Sequence, residues 1–247
     1  MQLYFIRHAQ SVNNHIYLET GSGDGRLADP PLTELGQQQA IYLADFLSQS
    51  NLKLPEIFGD QHNVRGFGFT HLYTSLMERA VQTAVVAAAK LNLPLIAWEE
   101  IHEVGGVWLP TGEGGAPVGL AGPNRAYFAE RYPRLQLPDW LGETGWWNRP
   151  YEAVEQRPRR AQLVVQQLLE RHGQTDDRVA IVSHGGFYTN FMSALLNLPA
   201  TSDTVPAAGQ TWFSLANTAV SRIDFVDDGL RIVYLNRAEF LPREMVT

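Results

Sequence analysis

The chain reads as an α/β protein with a mostly parallel central sheet, and three observations predict this. Short apolar runs (LYFI, HLYT, LPLIAW, VAIVS) alternate with longer segments whose apolar residues recur every three or four positions. That alternation is the signature of parallel strands covered by helices. The composition, 45% hydrophobic and 18% charged over 247 residues, is that of a globular chain with a sizeable core.

The elements follow in order. Residues 2–6 predict a short buried strand. Residues 12–32, polar and Gly-rich through GSGDGRLADPP, read as loop. Thr33 is placed to cap a helix to about Ser50, with Ala40, Leu43, Ala44 and Leu47 on one face. Residues 51–68 read as loop, and FTHLYT as a second strand. Ser75 and Glu78 have capping-box spacing and open a helix carrying Ala80, Ala84, Ala88 and Leu91. LPLIAW is a third strand. Residues 104–150, rich in Gly, Pro and Trp, hold one short helix near 123–132. A long helix occupies about 152–171, where Pro158 either kinks it or marks its first turn. RVAIVS is a fourth strand, followed by a helix near 187–197. TAVSRIDFVDDGLRIVYL reads as a hairpin turning at Asp227-Asp228-Gly229.

The bulk properties exclude several classes. A net charge of −7 argues against a general nucleic-acid binder. The absence of cysteine removes disulfides and thiolate metal sites. No apolar run reaches membrane-spanning length, and the N-terminal run has no basic segment before it, so the expectation is a cytoplasmic protein without membrane contact. Nothing in the residues reports the oligomeric state.

Three strands lead into chemistry. LYFI ends at Arg7-His8, HLYTS leads to Arg79 in the next helix, and VAIVS ends at His184. Ligands of open α/β sheets bind beyond the carboxyl ends of the strands, so these four side chains are expected in one crevice. Arg forks suit phosphate oxygens. Adjacent cations disfavour imidazolium, and a neutral imidazole beside a bound phosphate is a competent nucleophile on phosphorus. A second imidazole can donate to the phosphoryl oxygens in the transition state. No metal or other cofactor is expected.

RHAQSVNN, PLTELGQQQA, YTSLMERAVQTA, IHEVGG and VSHGG resemble, in order, motifs of the histidine phosphatase superfamily, which includes the cofactor-dependent phosphoglycerate mutases. The resemblance runs from residue 3 to about 190, with 105–150 unmatched. It implies a three-layer, phosphoglycerate mutase-like sandwich forming a single domain over 1–247, with 105–150 as a cap insertion. It makes His8 the nucleophile and Glu103 the proton donor, with Glu100 the competing carboxylate. Arg7, Arg79 and His184 would bind the phosphate of a small phosphorylated substrate, with Asn14 as a further contact. Ala9 stands where the motif usually has Gly, and Gln10 where Glu is common; loss of that charge beside the site is expected to act on substrate preference. Arg125 and Arg131 are candidates to reach a second anionic group.

The implied activity is a metal-independent phosphomonoesterase working through a phosphohistidine. Two rivals stand beside it: a phosphoglycerate mutase, whose characteristic stretch NNHIYLETGSGDGRL does not resemble, and a catalytically silent phosphate-binding protein, against which the intact His, Arg and Glu set argues. HEVGG lacks the second His of a zinc-protease helix, because Gly106 stands there, and IVSHGG lacks the first Gly of a nucleophile elbow. Trp146 and Trp147 are expected to pack a lid onto the body, as is Trp140. His15, His62, His71, His102 and His172 are expected to be structural or exposed.

Overall fold

Strand β1 (Gln2–Arg7) has no exposed face, which explains its unbroken apolar run. Leu3 and Phe5 point to one helical layer, Tyr4 and Ile6 to the other. A computed structural model describes residues 1–50, 53, 60–112, 115–199, 211–226 and 229–247 of the chain. The further strands are β2 (His71–Thr74), β3 (Leu95–Ala97), β4 (Trp108–Leu109), β5 (Val118–Gly119), β6 (Leu135–Gln136), β7 (Arg178–Ser183), β8 (Val220–Val226) and β9 (Gly229–Arg237). The helices are α1 (Val12–Thr20), α2 (Glu34–Ser48), α3 (Glu78–Leu91), α4 (Arg125–Arg131), α5 (Gln156–His172) and α6 (Gly185–Leu195).

Seven strands form one sheet in the order β6-β3-β2-β7-β1-β8-β9. The first five are mutually parallel, and β8 and β9 run antiparallel at the other edge. Helices α2 and α3 cover one face through Leu43, Leu47, Ala80 and Ala84. Helices α5 and α6 cover the other through Ala161, Val164, Leu168, Phe187 and Phe191. This is the three-layer α/β sandwich. Among the described residues, no helix is long and apolar enough to cross a membrane.

The structure departs from the sequence expectations in three places. Residues 12–20 form α1 rather than loop. Ser11 and Asn14 close a capping box, and Gly21 ends the helix with φ +67°. No residue of α1 is buried, so no apolar stripe announced it. Ser75 does not cap α3, which starts at Glu78 after Met77. Segment 105–150 contributes β6 to the sheet edge and pairs β4 with β5; two-residue strands leave no periodic signal. Pro158 falls in the first turn of α5, where its missing N–H costs nothing. The β8–β9 hairpin is present, but Asp227 and Asp228 of its expected turn lie outside the described residues.

Candidate active site

Register places the expected residues at one level. In the parallel pairing of β1 with β7, Arg7 stands opposite Ser183, and Thr74 of β2 stands opposite Val182. His8, Ser75 and His184 are therefore the first residues beyond three adjacent strands. The His8 and His184 rings lie 5.0 Å apart. Both are almost wholly buried.

Hydrogen bonds settle the tautomer of His8. Its Nδ1 lies 2.7 Å from the Ala9 carbonyl, so Nδ1 carries the hydrogen and donates it. Arg79 Nε donates to His8 Nε2 at 3.1 Å, so Nε2 is the unprotonated nitrogen and its lone pair is held by the guanidinium. Burial first, then Arg79 and Arg7, holds the His8 pKa well below the usual imidazole range. Burial and Arg79 do the same for His184. Arg7 is pushed down to about 10, chiefly by burial, and remains a cation at neutral pH.

His184 is oriented by a residue the sequence reading assigned to a helix cap. Ser75 Oγ accepts from Met77 N at 3.1 Å and lies 2.8 Å from His184 Nε2. The hydroxyl hydrogen is free to go to Nε2, and in that arrangement Nδ1 is the N–H. That Nδ1 is buried without a protein partner, as a donor awaiting a ligand oxygen would be.

Glu103 lies at the N-terminus of α6. Its Oε1 accepts from Val104 N at 2.9 Å and Phe187 N at 2.8 Å, and its Oε2 from Gly186 N at 3.2 Å. A Cβ on Gly186 would meet Glu103 Oε1 at 2.6 Å, which explains the second glycine of VSHGG. Glu103 is near enough to Arg7 and Arg79 to raise both their pKa values. Glu100 instead lines an outer cavity with Arg149 and Arg159.

The remaining motif residues brace the His8 loop. Thr83 Oγ1 accepts from Ala9 N at 3.0 Å and donates to Arg79 O at 2.7 Å. Gln39 Oε1 accepts from Gln10 N at 2.7 Å. A Cβ on Gly36 would meet the Gln10 carbonyl at 2.1 Å, so only glycine lets α2 approach this closely.

A family model described as histidine phosphatase superfamily (branch 1) matches residues 61–238. The chain belongs to this superfamily. The probable phosphoglycerate mutase GpmB of Yersinia enterocolitica is 26% identical over 225 residues, covering 91% of this chain and 85% of that protein. The Shigella flexneri α-ribazole phosphatase structure shares the fold with a TM-score of 0.58 and 20% identity, over 96% of each chain. An Entamoeba histolytica phosphoserine phosphatase variant, solved with phosphoserine, has a TM-score of 0.56 and 18% identity, over 98% of this chain and 99% of that one.

Within this superfamily member, several expectations need correction. Gln10 is buried, and its Oε1 accepts from Thr33 Oγ1 at 2.7 Å, so it faces the cap of α2 and not a substrate. Asn14 Oδ1 accepts from Ser11 N, Ser11 Oγ and Asn217 Nδ2, which leaves the Nδ2 amide as the group it can offer a ligand. Arg125 is held by the carbonyls of Leu141 and Pro138 at 2.7 and 2.6 Å. Arg131 stacks over Tyr127 and lines a cavity beside the C-terminal half of α3, away from His8. Trp146 and Trp147 are buried as expected, and a Cβ on Gly106 would strike the Trp147 ring. Trp140 is exposed.

Three residues went unread. Arg26 lies over the Trp108 ring at 3.6 Å; burial and then Arg79 push it down to about 10, while Glu103 raises it. It is thus a third cation within electrostatic range of Arg79 and Glu103. Asp29 lies 3.6 Å from Arg79 Nη1 with its side chain 10% exposed, and burial pushes its carboxyl up to about 7 against the pull of Arg79. Asn217 Nδ2 donates to the His8 carbonyl at 2.9 Å, beside Thr218 at φ +61°. A β-branched residue in that region is strained by about 1–3 kcal/mol. A positive φ leaves no mark in a sequence when the residue is Thr. Arg26 and Asp29 fell in a stretch read as featureless loop.

Proposed function

We propose that the protein is a phosphomonoesterase that works through a phosphohistidine on His8. The observation that carries the reading is the Arg79-to-His8 hydrogen bond, which marks Nε2 as the unprotonated nitrogen of a neutral imidazole set among cations. The substrate phosphate binds between Arg7, Arg79 and His184, with Asn14 Nδ2 as a further donor. As the Arg79 guanidinium turns to the phosphate oxygens, the freed Nε2 lone pair attacks phosphorus in line while the ester P–O bond breaks, and Glu103, protonated as the phosphate binds, gives its proton to the departing alkoxide. Water then attacks the phosphohistidine, Glu103 takes up its proton, and inorganic phosphate leaves with His8 neutral again. The guanidinium and imidazole donors stabilise the charge on the transferring phosphoryl oxygens.

The substrate is the phosphate ester of a small polar alcohol. Support comes from the activities named for proteins sharing the fold: phosphoserine, glucosyl-3-phosphoglycerate and α-ribazole phosphatases. We read the chain as a single domain over 1–247 in which 105–150 caps the site through its first part, because Trp108 backs Arg26, while β6 of the same segment belongs to the sheet. A cytoplasmic location and the absence of nucleic-acid partners belong to the same proposal.

Rapid quenching into alkali after mixing with a phosphomonoester tests this. An acid-labile phosphoenzyme is expected in the wild type and absent from His8→Ala. Normal labelling of that variant would move the nucleophile elsewhere, and no labelling of the wild type would favour a silent binding protein. The mutase reading rests on the name of the Yersinia relatives. It requires the phosphoenzyme to survive until a second phosphoglycerate collects the phosphoryl group. Incubation with 3-phosphoglycerate and a bisphosphoglycerate would then yield 2-phosphoglycerate faster than free phosphate.

A further inference from the structure

At the opposite end of the sheet, His71 begins β2, His172 ends α5, and Asp177 immediately precedes β7. Each offers one ligand atom, and the three atoms lie within 4.8 Å of one another. His172 Nδ1 is 2.9 Å from Asp177 Oδ2, and His71 Nδ1 is 3.6 Å from Asp177 Oδ1. Tetrahedral zinc with bonds near 2.0–2.2 Å sets neighbouring ligand atoms about 3.3 Å apart. The two His–Asp spacings bracket that value and the third stays within 4.8 Å, so the cluster closes round an ion by moving the two imidazoles toward each other.

The surroundings have the character of a metal's outer sphere. His172 is buried, and its Nε2 lies 3.1 Å from the Tyr73 hydroxyl, which can accept the Nε2–H once Nδ1 is committed to a metal. Thr70 Oγ1 donates to Asp177 Oδ1 at 3.1 Å and also lies 2.9 Å from His71 Nδ1, a contact that a metal bound at that nitrogen would replace. The His71 and Asp177 side chains are 35% and 22% exposed, which gives an ion a path from solvent and room for a fourth, water ligand. Among the described residues, this is the one such group of three.

We propose that His71, His172 and Asp177 form a binding site for a divalent transition-metal ion of the zinc class. Two imidazoles and one carboxylate match that class and suit calcium or magnesium poorly, since these favour all-oxygen shells. The ion ties the end of α5 to the starts of β2 and β7. It lies the length of β7, roughly 20 Å, from His8 and takes no part in the phosphoryl chemistry.

The test is equilibrium dialysis of the chelator-stripped full chain against zinc alone in phosphate-free buffer, with metal counted by mass spectrometry. One zinc per chain is expected in the wild type. His71→Gln and Asp177→Asn should each weaken binding at least tenfold, and Tyr73→Phe about tenfold. His8→Ala should bind like the wild type, since its imidazole belongs to the other pair. Cobalt in place of zinc should give intense tetrahedral visible bands in the wild type, a readout that does not depend on how well a variant folds. No binding by the wild type, binding that survives both His71→Gln and Asp177→Asn, or loss in His8→Ala would each overturn the proposal.

Discussion

Two histidine pairs occupy opposite ends of the sheet with nearly the same internal geometry. The His8 and His184 rings are 5.0 Å apart and tilted by 56°; the His71 and His172 rings are 4.6 Å apart and tilted by 59°. Their neighbours differ in sign. The first pair is enclosed by Arg7 and Arg79, and the second faces Asp177. An imidazole is a donor, an acceptor or a ligand according to the charge placed beside it. The cationic surround suits the first pair to an anion, and the carboxylate suits the second to a cation. Sheet polarity separates them: one pair follows the ends of β1 and β7, and the other lies where β2 starts and α5 ends.

The sharpest way to break this comparison is to remove one histidine from each pair. His8→Ala should reduce turnover of a phosphomonoester by on the order of 10⁴-fold or more, since a nucleophile has no substitute. His71→Ala should leave turnover near that of the wild type. Steady-state kinetics on both variants decide the matter, and comparable losses would erase the distinction.

The next effect concerns Glu103. General acid catalysis is worth about 10²–10⁴-fold, and only a poor leaving group needs it. Glu103→Gln should lower single-turnover phosphorylation by an alkyl phosphate by that factor and by nitrophenyl phosphate far less. Glu100→Gln should affect neither. Equal losses on the two substrates would take the acid role from Glu103.

Arg79→Gln should cost about 10²–10³-fold in kcat/KM, the usual range for one preorganised donor to a transition-state oxygen. It should also move the acid limb of the pH profile. Activity needs neutral His8 and is lost as pH falls through its pKa. Arg79 lowers that pKa, so its removal raises it, and the loss should begin at a higher pH. An unmoved limb would show that another group controls it.

Arg26→Ala should raise KM by about 10–100-fold for substrates with a second anionic group, the worth of one charge-assisted bond. Substrates with only a phosphate should show little change. A uniform change would place Arg26 on the phosphate itself.

The smallest effect is on stability. Asp29 titrates near 7 in the folded chain against 3.8 ordinarily, so the native state holds the extra proton between those values. Its contribution to stability therefore falls as pH rises from about 4 to 7. Asp29→Asn should remove that slope, which for one proton cannot exceed about 1.4 kcal/mol per pH unit. Urea unfolding of both proteins at pH 5 and pH 8 measures it. A gap between them that does not change with pH would mean that Asp29 stays ionised.

Most of the architecture was legible because it rests on periodicity. LYFI, HLYT and VAIVS bury both faces, and α2, α3 and α5 carry apolar residues at helical spacing. Helix α1 was missed because it buries nothing and depends on Ser11, Asn14 and Gly21. Strands β4, β5 and β6 were missed because a two-residue strand has no period. Arg7, His8, Arg79 and His184 were legible as a group, since a strand that ends in Arg or His at a sheet's carboxyl edge must present it to the crevice.

The sequence by itself determined which residue types stand at and just beyond the strand ends, and so that imidazole and guanidinium share the crevice there. Tertiary structure alone decided what each residue does with its neighbours. It turned Gln10 away from the site and toward Thr33, gave Arg125 to two backbone carbonyls, set Ser75 against His184, and brought Arg26 from an unread loop to Trp108. The physical reason is range. Strand and helix periodicity follow from contacts a few residues apart, whereas a hydrogen bond between residues 75 and 184, or a cation stacked between residues 26 and 108, exists only after the sheet has closed.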